Sequence, residues 1–218
     1  MLNVKKFIFN PIEENTYIVS DDTLEAVIID CGCFFEKEWM RMKEYIEQNH
    51  LNPVHLINTH LHFDHSYGNR FAIRDYHLKA EASIEDYDLY SGMQAQIAMF
   101  LGNRIASQVN LDFTSQLAPP LKEGDSVHFG HHQLSVISIP GHTPGGICLY
   151  CEEEKILFSG DSLFCGSIGR TDLPGGNYHD LVTSLSEKIL KLPPDTIVYS
   201  GHGPETSIEN EIKYNPYL

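Results

Sequence analysis

Thr59-His60-Leu61-His62-Phe63-Asp64-His65 packs four metal-type side chains into seven residues, directly after the apolar run Val54-His55-Leu56-Ile57-Asn58. Three further apolar runs end the same way. Leu134 to Pro140 leads to Gly141 and His142, Ile156 to Gly160 delivers Asp161, and Ile197 to Gly201 delivers His202. Sheets that carry ligands place them at the carboxyl ends of strands, where loops converge on one point. Seven candidate ligands therefore arrive from four strands: His60, His62, Asp64, His65, His142, Asp161 and His202. Imidazole and carboxylate together suit zinc, iron or manganese. Alternation sends His60 and His62 one way and lets Asp64 and His65 reach another centre, with Asp161 as the natural bridge. The pattern predicts two divalent ions roughly 3.5–4 Å apart, able to clamp the attacking and leaving atoms of a displacement.

Each residue also has a plainer reading. With 12 histidines in the chain, the cluster could be a surface turn, His142 and His202 turn residues beside Gly and Pro, and Asp161 a cap. Their shared setting, each after an apolar run and beside glycine, favours ligation, because glycine lets a backbone turn sharply near an ion. His50, His55, His77, His128, His131, His132 and His179 lack that setting and read as surface or core.

At 218 residues, with 42% hydrophobic and 21% charged side chains, one domain spanning 1–218 is the expectation. A net charge of −15 argues against nucleic acid, which needs a basic face. Pro11 and Glu13-Glu14 interrupt any signal-peptide pattern, and no apolar run reaches the roughly 18 residues of a membrane span. Five cysteines are too few and odd in number for a disulfide framework, which favours the cytoplasm. Cys148 and Cys151 fall in one strand and point to opposite faces, as packing residues.

Strands are predicted at Val4–Asn10, Thr16–Ser20 and Ala26–Asp30, then at Ser126–Phe129, Gln133–Ile139, Gly146–Cys151 and Lys155–Gly160. Trp39, Met42 and Ile46 mark one face of a helix over Glu36–Asn49. Further helices are expected over Ser66–Asp75, over Glu85–Asn103 with Tyr90, Met93, Ile97 and Phe100 or Leu101 on one side, and through Leu181, Leu185 and Ile189. Two strand groups with covering helices predict an α+β fold, a four-layer αββα sandwich.

Thr59-His60-Leu61-His62-Phe63-Asp64-His65, Pro140-Gly141-His142-Thr143-Pro144-Gly145-Gly146, Ser159-Gly160-Asp161-Ser162-Leu163-Phe164 and Ser200-Gly201-His202-Gly203-Pro204 together resemble the metallo-β-lactamase-fold hydrolases. Gly169-Arg170-Thr171-Asp172-Leu173-Pro174-Gly175-Gly176 and the terminal Asn215-Pro216-Tyr217-Leu218 are similar to the short bacterial glyoxalase II-like branch. The resemblance implies one metal on His60, His62 and His142, another on Asp64, His65 and His202, and Asp161 across both. It implies zinc first, with iron or manganese accepted by the same donors, and hydrolysis of a small-molecule S-acyl glutathione thioester of the S-D-lactoylglutathione type by a metal-bridging hydroxide. Asp64 would orient that hydroxide, and Arg170, Arg104 and Lys213 are candidate cations for the substrate. For Arg170 a salt bridge to Asp172 competes with that role. Tyr90, Met93 and Phe113 are candidate substrate contacts, against core packing. Where the family reads Asp-Pro-Gly this chain has Asp30-Cys31-Gly32, which would place a thiol near the site. Rival readings are a mononuclear-iron persulfide dioxygenase, a lactonase, and a non-catalytic metal-binding module.

Overall fold

The computed structural model describes residues 1–107 and 117–218, so the expectation for Phe113 lies outside them. The first sheet has strands β1 (Asn3–Phe9), β2 (Glu14–Ser20), β3 (Glu25–Ile29), β4 (Asn52–Ile57) and β5 (Ala80–Glu81), in that spatial order. The second sheet runs β6 (Ser126–Phe129), β7 (His132–Ser138), β8 (Ile147–Cys151), β9 (Ile156–Gly160), β12 (Ile197–Ser200) and β13 (Thr206–Ser207). A small hairpin, β10 (Leu163–Phe164) with β11 (Ser167–Ile168), stands beside it.

Period-two alternation sorts the strand residues between layers. Tyr17, Val19, Val27 and Ile29 meet Phe129, Val136, Leu149 and Phe158 between the sheets. The intervening residues Ile18, Ala26 and Ile28 face outward onto Trp39, Met42 and Ile46 of helix α1 (Glu36–Gln48). On the other side Cys148, Leu157 and Val198 pack on Leu181 and Leu185 of helix α7 (Tyr178–Glu187) and on Ile208 of α8 (Ile208–Tyr214). Helix–sheet–sheet–helix is the order predicted, and Cys148 and Cys151 do lie on opposite faces.

Strand direction brings the ligand-bearing ends to one edge. β3 pairs β4 in parallel and β9 pairs β12 in parallel. β7 and β9 each run antiparallel to β8 and so point the same way. Asp30, His60, His142, Asp161 and His202 all follow the carboxyl ends of those strands.

Three helical expectations need correction. The helix predicted over Glu85–Asn103 is a 3-10 turn (Ile84–Asp86) followed by α4 (Tyr87–Ser91), α5 (Met93–Leu101) and α6 (Asn103–Ala106). The breaks fall at Gly92 and at Gly102, whose φ of 89° is left-handed. The helix predicted over Ser66–Asp75 is α2 (Phe63–Ser66) and α3 (Asn69–Tyr76), parted near Gly68. Ile189 lies in a 3-10 turn after α7. Cys31, next to Asp30, is fully buried. Its side chain is buried in the layer beneath α1, among Cys33, Phe71 and Trp39.

Candidate metal centre

Leu61 and Phe63 explain the local fold of the cluster. Both are buried with Tyr90, Met93 and Ile97, which anchors alternate residues and leaves His60 and His62 facing the sheet edge. Tyr90 and Met93 are therefore core, as the packing alternative held.

The structure brings all seven predicted ligands together. Donor atoms of His60, His62 and His142, of His60, His65 and Asp161, and of Asp64, His65 and His202 form three groups, each within 4.8 Å. His62 Nδ1 is 3.0 Å from His142 Nε2, and His65 Nε2 is 3.3 Å from His202 Nε2. Asp161 reaches across both halves, with Oδ1 3.3 Å from His65 Nε2 and Oδ2 3.6 Å from His142 Nε2 and 3.7 Å from His202 Nε2. Asp64 Oδ2 lies 3.4 Å from His202 Nε2. Tetrahedral zinc with ligand bonds of about 2.0–2.1 Å holds its donors about 3.4 Å apart, so the spacing suits a divalent ion.

Hydrogen bonds behind the rings fix the tautomers. Thr59 Oγ1 donates to Asp30 Oδ2 at 2.7 Å, so it accepts from His60 Nδ1 at 3.1 Å. His60 Nε2 is left buried with a lone pair and no hydrogen-bond partner. His65 Nδ1 donates to Asp30 at 3.1 Å, and His142 Nδ1 donates to the Arg170 carbonyl at 2.8 Å. Their Nε2 lone pairs consequently point into the cluster. Such outer partners orient metal-binding imidazoles and raise their basicity.

Burial and then mutual repulsion hold His60 well below the ordinary histidine range, and the same causes bring His62 down to about 4. Both are neutral and able to ligate at neutral pH. Burial pushes the Asp161 carboxyl up, but His65, His202 and His142 outweigh it and hold it well below the usual range. Asp64 follows the same balance, lowered by His65 and His202 against its burial.

Glycine clears the space these groups occupy. A Cβ on Gly201 would collide with Asp161 Oδ1 and come within 2.6 Å of His65 Cε1, and one on Gly141, at φ 137°, would meet the backbone of Leu181.

The three candidate cations differ in placement, and Arg170 makes the salt bridge to Asp172 that was its alternative reading. The Arg170 guanidinium, 54% exposed, binds Asp172 through two bonds of 2.7 and 2.8 Å. Arg170 is among the residues lining the cavity over the cluster, and its carbonyl is the group that holds His142. Arg104 is exposed on α6 and Lys213 pairs with Glu209. Neither lines that cavity among the described residues.

Two carboxylates escaped the sequence reading. Asp86, fully buried, accepts from Leu61 N at 3.2 Å, Thr143 Oγ1 at 2.8 Å and Gly145 N at 2.6 Å. It ties the loop of His60 and His62 to the loop of His142, and burial raises its pKa despite those donors. Asp30, at a left-handed φ of 52°, accepts from Thr59 N and Oγ1 as well as from His65. Aspartate is among the residues that tolerate that region, and φ is not written in sequence.

The Metallo-beta-lactamase superfamily model matches residues 10–202. A Bacillus subtilis protein named probable metallo-hydrolase YqgX is 37% identical over 95% of this chain and 93% of its own length. The Haemophilus influenzae hydroxyacylglutathione hydrolase GloC is 33% identical over 100% of this chain and 98% of its own. Among solved structures, BLEG-1, a B3 metallo-beta-lactamase, is 32% identical, with a TM-score of 0.84 over 100% of this chain and 99% of that one. TTHA1623, crystallised in a di-iron-bound form, is 34% identical, with a TM-score of 0.82 over 98% and 100% of the two chains. The ligand-type side chains at four strand ends and a match spanning almost the whole chain lead to one conclusion: the protein belongs to the metallo-beta-lactamase superfamily.

Proposed function

We propose that the protein is a binuclear metal-dependent thioester hydrolase that cleaves S-acyl glutathione, with S-D-lactoylglutathione as the first substrate to test. The observation that carries this reading is the reach of Asp161 to both histidine groups, which suits a carboxylate shared by two ions. GloC supplies the substrate class, through its name and full-length similarity. Two divalent ions, zinc first and iron or manganese also suited, would when bound polarise the thioester carbonyl and make a water acidic enough to attack.

The chain's own residues supply the rest. His60, His62 and His142 would hold one ion, and Asp64, His65 and His202 the other. Asp64, kept ionised by its histidines, stands at the cavity floor, where it can orient the attacking water and accept its proton. Arg170 contributes through its carbonyl, which fixes His142, more than through its neutralised guanidinium.

The test is hydrolysis of S-D-lactoylglutathione by metal-loaded protein, with Asp161→Asn as the blank. Turnover that disappears in the variant is expected. No turnover in a protein holding both metals would sink the reading. Oxygen uptake with one iron would instead indicate a persulfide dioxygenase. A β-lactam is the second hydrolytic substrate to assay, because of the similarity to a B3 metallo-beta-lactamase.

A further inference from the structure

The space above the metal-type cluster is walled mainly by hydrocarbon. A cavity of about 360 Å³ opens over His62, Asp64, His142, Asp161 and His202. Its other walls are Ile12, Phe63, Phe100, Phe164, Ile168 and Leu173, with Ser167 and Arg170. A second cavity of about 160 Å³, lined by Leu89, Met99 and Pro174, shares His62, Phe100 and Leu173 with the lining of the first. Gln96, the other polar residue of that second space, has its amide engaged. Its Oε1 accepts from Phe63 N at 3.0 Å and its Nε2 donates to Leu89 O at 2.7 Å.

A charged peptide cannot enter such a space without leaving its ionic groups unpaired. Among the described residues that line the larger cavity, Arg170 is the one Lys or Arg, and it is already held by Asp172. The glutathionyl side of a thioester is thereby directed to the open mouth, and the acyl side to the apolar walls. We propose that the larger cavity, with the smaller one beside it, forms an acyl pocket that selects thioesters carrying an extended apolar acyl group, alkyl or aryl, over small polar acyl groups such as lactoyl. This inference rests on the thioester reading and specifies it. Volume agrees, since the larger cavity alone has the room of about 12 waters, more than a lactoyl group fills.

Burying one methylene gains about a fourfold factor. Four added methylenes, from acetyl to hexanoyl, therefore set a ceiling of roughly 200-fold in kcat/KM.

Acetyl, butanoyl, hexanoyl and D-lactoyl glutathione are to be compared with metal-loaded protein. Binding of acetate and hexanoate is measured on the same protein by calorimetry, independently of turnover. The expected result is a rise in kcat/KM of about tenfold or more from acetyl to hexanoyl. Hexanoate should likewise bind about tenfold or more tightly than acetate, with a negative heat-capacity change. Leu173→Ala and Leu173→Phe, at a partly exposed position that the sheets do not need, should each lower the hexanoyl-to-acetyl ratio. The first removes wall and the second fills the space. Phe100→Ala serves as an independent wall variant with the same expected direction.

A flat or falling acyl series with equal affinities for the two carboxylates overturns the pocket, even if lactoylglutathione is hydrolysed. If no thioester is hydrolysed yet hexanoate binds more tightly than acetate and depends on Leu173, the thioester reading fails and the apolar pocket stands.

Discussion

Replacing Asp86 by alanine should loosen the metal centre from behind, without removing any ligand. The carboxylate is fully buried and accepts three hydrogen bonds, from Leu61 N, Thr143 Oγ1 and Gly145 N. Alanine strands all three donors. Each buried donor without an acceptor costs about 1–3 kcal/mol, so the floor for Asp86→Ala is about 3 kcal/mol. That is a large share of the roughly 5–15 kcal/mol that holds a typical domain folded. Asparagine separates the terms. An amide oxygen in the Oδ2 position keeps the bonds from Leu61 and Thr143, while its NH2 faces Gly145 N–H. Asp86→Asn should therefore lose about 1–2 kcal/mol. Urea unfolding of chelator-treated protein measures both. The tie also joins the loop of His60 and His62 to that of His142, so metal affinity, read by competition with a chromophoric chelator, should fall about 10–100-fold in the alanine variant. An alanine variant within about 1 kcal/mol of the parent and with unchanged metal affinity would refute the reasoning, as would asparagine as damaging as alanine.

Gly201→Ala drives a methyl into Asp161 and His65 and should weaken metal binding about tenfold or more, measured by the same competition; intact affinity would show that the strand end yields. Arg170→Ala removes an exposed, Asp172-bound guanidinium but keeps the carbonyl that holds His142, so metal affinity should stay within about twofold. His55 bonds Glu81 at 2.6 Å and the His128 carbonyl at 3.1 Å, and the Glu81 bond raises its pKa above the ordinary 6.5. The stability of that contact is fully present below the ordinary histidine pKa and drains as pH rises through the raised folded value. His55→Gln should therefore lose about 0.5–1 kcal/mol at pH 6, and less at pH 9; equal urea-midpoint gaps at both pH values would contradict this.

The clustering of the seven metal-type side chains was legible because strand ends are written locally: an apolar run, then glycine or threonine, then a His or Asp. The layers were legible for the same reason, since alternation along β2, β3 and β8 is a property of neighbours. Asp86 was not, because its meaning lies in Leu61, Thr143 and Gly145, which are close only after folding. The helix over Glu85–Asn103 misled because the spacing of Tyr90, Met93 and Ile97 survives the breaks, so periodicity outvoted Gly92 and Gly102. Of the alternatives Phe100 and Leu101 for the packed side, Leu101 packs with Tyr90 and Met93, while Phe100 stands 40% exposed at the cavity wall. Helix α8 escaped because one buried apolar residue, Ile208, and one buried carboxylate, Glu211, fix seven residues.

That carboxylate also anchors one wall of the cavity from outside the sheets. Glu211 accepts from Gly166 N at 2.9 Å, Thr206 Oγ1 at 2.6 Å, and Asn210 and Asn215 Nδ2 at 2.8 Å each. Asn215 also donates to the Ser167 carbonyl at 3.0 Å. The hairpin bearing Phe164 and Ile168 thus hangs from α8, and two residues beyond it the Arg170 carbonyl holds His142. One helix outside the sheets therefore bears on both the cavity wall and the ring of His142, and changes within Ile208–Asn215 can alter the shape of the cavity and the seat of that histidine together.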